Sequence, residues 1–256
     1  MKTITLAGKR IELYESIEEL PIVRFHKYNK MLLVDAGCGS DLSDFDKHIE
    51  KAIQYANSKT PALAVTELEN LRQNVYFIQQ NISPKLLSFA VLVKSVNDMS
   101  CDDISDEGLK KTCELLQDIT VKDFAAAFAT VKKKIDDELQ TYFPKLFDDA
   151  RLKEYYDILK QRTILILKTI IDGKATEKEE KEIKDITNEL ITYFHPQTFA
   201  GNKSVEIAHD KQFEKMCLIL SENLHVAPKK MTTLEYYNAF EYINELAKKQ
   251  KKKPLK

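Results

Sequence analysis

Six glycines in 256 residues leave this chain few positions that tolerate positive φ, and tight β-turns, hairpins and bulges depend on such positions. An all-β sandwich of this length is therefore hard to build, and helices are the default. The apolar pattern agrees: Val121, Phe124, Phe128, Val131, Ile135 and Leu139 recur at three- and four-residue steps, which places them on one helix face. Hydrophobic residues make up 43% and charged residues 31%, too apolar for a disordered chain and charged enough to solvate many helix faces. The sequence predicts an all-α fold: a multi-helix bundle with a short N-terminal β-hairpin.

The hairpin is expected at Thr3 to Leu6 and Arg10 to Tyr14, which alternate apolar and polar residues around Ala7-Gly8-Lys9, and it is the only sheet signal. Ser16 with Glu19 reads as a capping box opening a helix from Ile17 to Val34, with a restart allowed at Pro21. Further starts are read at Ser43, at Thr60 before Pro61, at Pro84 for a helix to Val96, at Ser105 and at Thr120. Pro144 ends the long amphipathic helix. The next runs from Leu146 to Ile171, burying Leu152, Tyr155, Tyr156, Leu159 and Ile166, and Gly173 supplies a left-handed end. Thr176 with Glu179 boxes a charged helix whose Ile183, Ile186, Leu190 and Ile191 share a narrow face. Ser204 and Thr233 are the expected caps of the last two. Residues 1–15 are thus assigned to a hairpin, 16–173 to an N-terminal helical domain, 174–247 to a C-terminal one and 248–256 to a basic tail.

Lys plus Arg number 39 against 40 for Asp plus Glu, which argues against a body built to neutralise many phosphates or to lie on an anionic membrane. The tail Lys248–Lys256 is the local exception. It lacks interleaved aromatics, so it offers weak phosphate contact with DNA and no base stacking. The most apolar run, Thr163 to Ile171, is interrupted by Lys168 and too short to span a membrane, and no signal-peptide pattern opens the chain. Cys38, Cys101, Cys113 and Cys217 show no CxxC spacing, so they read as reduced structural thiols.

No complete catalytic constellation is visible, and the chain reads as non-enzymatic, with no cofactor and no metal site. His26, His48, His195, His209 and His225 show no metal-ligand spacing and no cue to a nucleophile. His209, four residues before Phe213, reads as a core or interface histidine. Asp136-Asp137 and Asp148-Asp149 read as solvated acids. The segment Met31-Leu-Leu-Val-Asp-Ala-Gly-Cys-Gly-Ser-Asp41 resembles the first motif of S-adenosylmethionine-dependent methyltransferases. That alternative implies cofactor contacts at Asp35, Gly37 and Gly39 and a parallel sheet. The competing reading is a helix ending near Asp35, followed by a glycine turn.

Tyr14-Glu-Ser-Ile-Glu-Glu-Leu-Pro-Ile-Val-Arg-Phe-His-Lys-Tyr-Asn29 is similar to the hairpin-then-helix opening of small structural and assembly proteins of tailed bacteriophages and prophages. Val226-Ala-Pro-Lys-Lys-Met-Thr-Thr-Leu-Glu-Tyr-Tyr-Asn-Ala-Phe240 resembles the closing helix of phage tail-assembly-chaperone-like proteins. The resemblance implies a protein that works by contact with copies of itself or with other phage structural proteins, in the cytoplasm of a bacterial host or in the virion. Tyr236, Tyr237, Phe240 and Tyr242 are the interface candidates, with Tyr237 and Tyr242 expected to be the more exposed. A host helical adaptor unrelated to phage would share this fold and differ in its partner.

Overall fold

A computed structural model describes residues 1–119, 121–147, 150–193 and 195–251. The expected Thr120 cap, Asp148-Asp149 and residues 252–256 of the tail lie outside them, as do the side chains of Val121, Leu152 and Ile191. In chain order the elements are β1 (Lys2–Leu6), β2 (Lys9–Leu13), α1 (Ile22–Cys38), α2 (Leu42–Ala56), α3 (Leu63–Gln79), α4 (Pro84–Leu92), β3 (Val93–Val96) and β4 (Met99–Ser100). Then follow α5 (Asp106–Leu115), α6 (Val121–Tyr142), α7 (Pro144–Phe147), α8 (Ala150–Ile171), α9 (Glu177–Tyr193), α10 (Val205–Leu224) and α11 (Thr233–Lys251). The fold is mainly α, as the sequence predicts, with a small sheet at the N-terminus.

The chain divides into two compact units that interleave along the sequence, rather than following one another across a boundary at Gly173. Unit 1 holds Met1–Ala36, Ser83–Phe147 and Glu206–Lys256; unit 2 holds Gly37–Ile82 and Asp148–Val205.

In unit 1 the expected hairpin forms, turning through Ala7 and Gly8 at φ 47° and 73°. It belongs to a four-stranded antiparallel sheet in the order β1-β2-β3-β4. The helix expected to reach Val96 stops at Leu92, and residues 93–96 pair with β2 instead. The missed signal is Asn97-Asp98: both adopt positive φ, at 48° and 65°, and make a second tight turn without glycine. Asn97 Oδ1 accepts from the Arg10 amide at 2.8 Å. Where α4 passes into β3, buried Arg24 donates to the carbonyls of Val91 (2.8 Å) and Val93 (3.1 Å), and also to that of Cys101.

Ser16 and Glu19 make a turn rather than a helix start, and α1 begins after Pro21. That turn docks against the start of α11: Thr233 donates amide and hydroxyl to the Leu20 carbonyl, both at 2.8 Å. Thr233 is thereby used up, and the box on α11 is formed by Thr232 and Glu235. The predicted stripe of α6 is core, with Phe124, Phe128, Val131, Ile135 and Leu139 all buried. Phe89 meets Phe124 edge-on at 5.0 Å.

Unit 2 holds an α2–α3 hairpin and an α8–α9 hairpin. Asp41, not Ser43, caps α2, accepting from the amides of Ser43 and Asp44. Ala62 precedes α3 without a side-chain cap, so Thr60 contributes only its carbonyl, to the Leu63 amide. Gly173 takes φ 72° after α8, and Thr176 and Glu179 form the predicted reciprocal box on α9. No helix among the described residues is long and apolar enough to cross a membrane.

Candidate functional site

Unit 1 carries a groove of about 290 Å³ between α1, α10 and α11, and its walls include Phe25, His26, Phe213, Met216, Tyr236 and Tyr237. Three of the four aromatic interface candidates, Tyr236, Tyr237 and Phe240, line it. Tyr236 is only 6% exposed and packs against Phe213 at 5.9 Å. Tyr237 was expected to be exposed. It instead meets Phe25 edge-on at 6.0 Å and Phe143 at 5.5 Å, and burial pushes its phenol up to about 12. Tyr242 is exposed and stands outside the groove.

At the same groove α1 and α10 bring together a polar cluster. His26 Nε2 lies 2.8 Å from Asp210 Oδ1, and Lys30 donates to Asp210 Oδ2 at 2.7 Å. The His26 ring is sandwiched between His209 (centroids 4.3 Å apart) and Phe213 (4.1 Å), nearly parallel to both. Burial lowers the His26 pKa and outweighs the hydrogen bond to Asp210; burial also lowers that of His209, helped by the adjacent His26. The Asp210 carboxyl is raised by burial, yet it stays below its ordinary value because Lys30 and His26 donate to it. The Nδ1 of His209 is buried with no hydrogen-bond partner. This cluster is not legible in the sequence, because His26 and Asp210 stand 184 positions apart.

Unit 2 is built the other way round. The inner face of α3 is polar: Glu67, Asn70 and Asn74, at i, i+3 and i+7, are all buried. His48 on α2 faces Glu67 Oε1 with Nδ1 at 2.8 Å and the Cys38 carbonyl with Nε2 at 2.9 Å. Asn70 donates to the Gln197 carbonyl at 2.9 Å. The buried apolar residues of the unit, among those described, are Cys38, Ala52, Tyr55 and Phe199.

Several of its large apolar side chains are exposed. On α8, Tyr156 (57% exposed), Ile164 (55%), Leu167 (52%), Ile170 (67%) and Ile171 (81%) follow helical spacing along one face. Tyr156 was expected to be buried. The adjoining face of α8, with Leu159, Arg162 and Ile166, is only partly exposed, and Arg162 reaches Thr187 of α9 at 2.7 Å. On α3, Val65, Leu68 and Tyr76 are also exposed.

The methyltransferase alternative fails on geometry. Its motif needs a strand leading into a glycine turn, whereas residues Met31 to Cys38 are the last turns of α1. Asp35 and Gly37 lie inside that helix. A Cβ on Gly37 would stand 2.0 Å from the Phe199 ring, so this glycine makes room for packing. Gly39, at φ 65°, turns the chain towards the Asp41 cap. The strands among the described residues form one small antiparallel sheet, not the parallel sheet that such a site requires.

The geometry thus defines a mainly-α protein with an aromatic groove in one unit and an apolar outer face on the other. No protein-family model matches the chain, and no curated protein or solved structure is significantly similar to it.

Proposed function

We propose that the protein works by contact: a non-enzymatic helical assembly protein whose first partner is a second copy of itself, joined through the outer face of α8. The supporting observation is that unit 2 buries His48, Glu67, Asn70 and Asn74 while leaving five large apolar side chains of α8 more than half exposed. Large contiguous apolar patches on a protein surface mark interaction sites, whereas scattered apolar residues do not.

The magnitudes suffice for a weak pair. Fully burying one large apolar side chain is worth about 1.5–3 kcal/mol. The five on α8 are between 52% and 81% exposed, so a symmetric pair gains on the order of 9–19 kcal/mol gross. Association costs on the order of 4–15 kcal/mol, which puts self-association within reach at micromolar concentrations or above. A two-fold interface uses the same patch twice, so one helix face suffices for both partners.

The phage-type role is supported by the resemblance of the 14–29 and 226–240 segments. It would place the chain among virion structural or tail-assembly proteins, in a bacterial cytoplasm or in the virion. Light scattering over a concentration series, on the natural chain and on Leu167→Glu/Ile170→Glu, tests the contact. Self-association of the natural chain that the double variant lacks supports the reading, and identical masses for both sink it.

A further inference from the structure

We propose that His26, His209 and Asp210 form a binding site for a divalent transition-metal ion of the zinc class, joining α1 to α10 in unit 1. One ligand atom from each of the three lies within 4.8 Å of the other two. Two imidazole nitrogens and one carboxylate oxygen are a donor set that favours zinc, cobalt or nickel over magnesium or calcium. Three protein ligands leave one position of a tetrahedral ion for water.

The edge between His26 and Asp210 is nearly formed. Their facing atoms are 2.8 Å apart, and two ligands of a tetrahedral zinc, each bonded at about 2.0–2.1 Å, stand about 3.3 Å apart. The hydrogen bond opens by about half an ångström to admit the ion. Lys30 holds the other oxygen of Asp210 at 2.7 Å, the outer partner that a ligating carboxylate needs for orientation. Lys30 is a like charge to the incoming ion. Glu206, 3.9 Å from Lys30 Nζ, offsets it.

His209 has to move. Its ring lies 11° from parallel to His26, and ring lone pairs point in-plane, so stacked rings cannot both address one ion. Ligation requires the His209 ring to turn out of the stack so that one of its nitrogens, already within 4.8 Å of the other two ligand atoms, points towards them. His209 lines the groove between α1, α10 and α11, the side on which that turn takes place. The stacked form leaves the buried Nδ1 without a hydrogen-bond partner, so little hydrogen bonding is lost in leaving it.

The test is a cobalt titration of the full chain after removal of metal with a chelator, read by the visible d–d bands that distinguish four-coordinate from aqueous cobalt. One equivalent of cobalt that develops these bands and is displaced by zinc is the expected result. His209→Phe keeps an aromatic ring to stack on His26 and removes the donor; Asp210→Asn keeps the side-chain shape and removes the charge. Each, checked for natural helix content by circular dichroism, is expected to weaken binding at least tenfold. No bands at millimolar cobalt with the natural chain, or natural affinity in both variants, overturns the proposal.

Discussion

Replacing Glu67 by Ala removes one half of a buried pair whose other half stays in place. Glu67 is 3% exposed and His48 5%. Both ring nitrogens of His48 face acceptors, Glu67 Oε1 at 2.8 Å and the Cys38 carbonyl at 2.9 Å, so removing the carboxylate leaves one side of a buried imidazole without its partner. Deleting one partner of such a buried pair costs about 3–5 kcal/mol, a large fraction of the roughly 5–15 kcal/mol that holds a domain together. At 1.36 kcal/mol per decade, amides of α2 and α3 are expected to lose roughly a hundred- to five-thousandfold of their hydrogen-exchange protection. Glu69→Ala, two residues along and exposed, is the control and changes stability by less than about 0.5 kcal/mol. Replacing both partners by Leu is expected to recover most of the loss, because two apolar groups leave no unpaired polar atom. Equal protection in Glu67→Ala and Glu69→Ala refutes the claim that this pair organises unit 2.

Gly39→Ala forces a side chain onto a residue at φ 65°, with its Cβ 2.4 Å from Asp44 Cβ. A loss of roughly 1–2 kcal/mol or more is expected in urea unfolding, from the left-handed conformation alone. Arg24→Ala strips donors from the carbonyls of Val91, Val93 and Cys101; at about 1–3 kcal/mol per buried orphan it lowers the unfolding free energy by several kcal/mol, read as a lower urea midpoint at unchanged m. Glu179 is held at about 2 by the Thr176 amide, the Thr176 hydroxyl and Lys168. Its folded pKa is depressed, so the contribution of this box to α9 is full above the ordinary carboxylate value of 4.5 and fades as pH falls towards 2. Carboxyl chemical shifts titrated by NMR check this, and a Glu179 midpoint near 4.5 contradicts it.

The parts of the fold that were legible rest on local rules. Ala7-Gly8, the stripe of α6 and the Thr176–Glu179 box are each decided within a few residues. The extra strands were not legible, because Asn97 and Asp98, not a glycine, supply the positive φ of the turn, and because Val93 of β3 pairs with Leu13, 80 positions upstream. The assumption that apolar residues lie inside held for unit 1 and misled in unit 2: Leu68 and Tyr156 are exposed while Asn70 and Asn74 are buried. Periodicity identifies which residues share a face and not which face is inner. The aromatic run 236–240 did point to the groove, but the polar half of that groove comes from α1 and α10, and nothing local to His26 or His209 announces the other.

The central claim, self-association through α8, is tested most directly by the absolute mass in solution across a concentration series. The expected result is the 29.5 kDa of a single chain on dilution and a multiple of it on concentration, with Leu167→Glu/Ile170→Glu remaining at the single-chain value throughout. A natural chain that stays at 29.5 kDa up to millimolar concentration contradicts it.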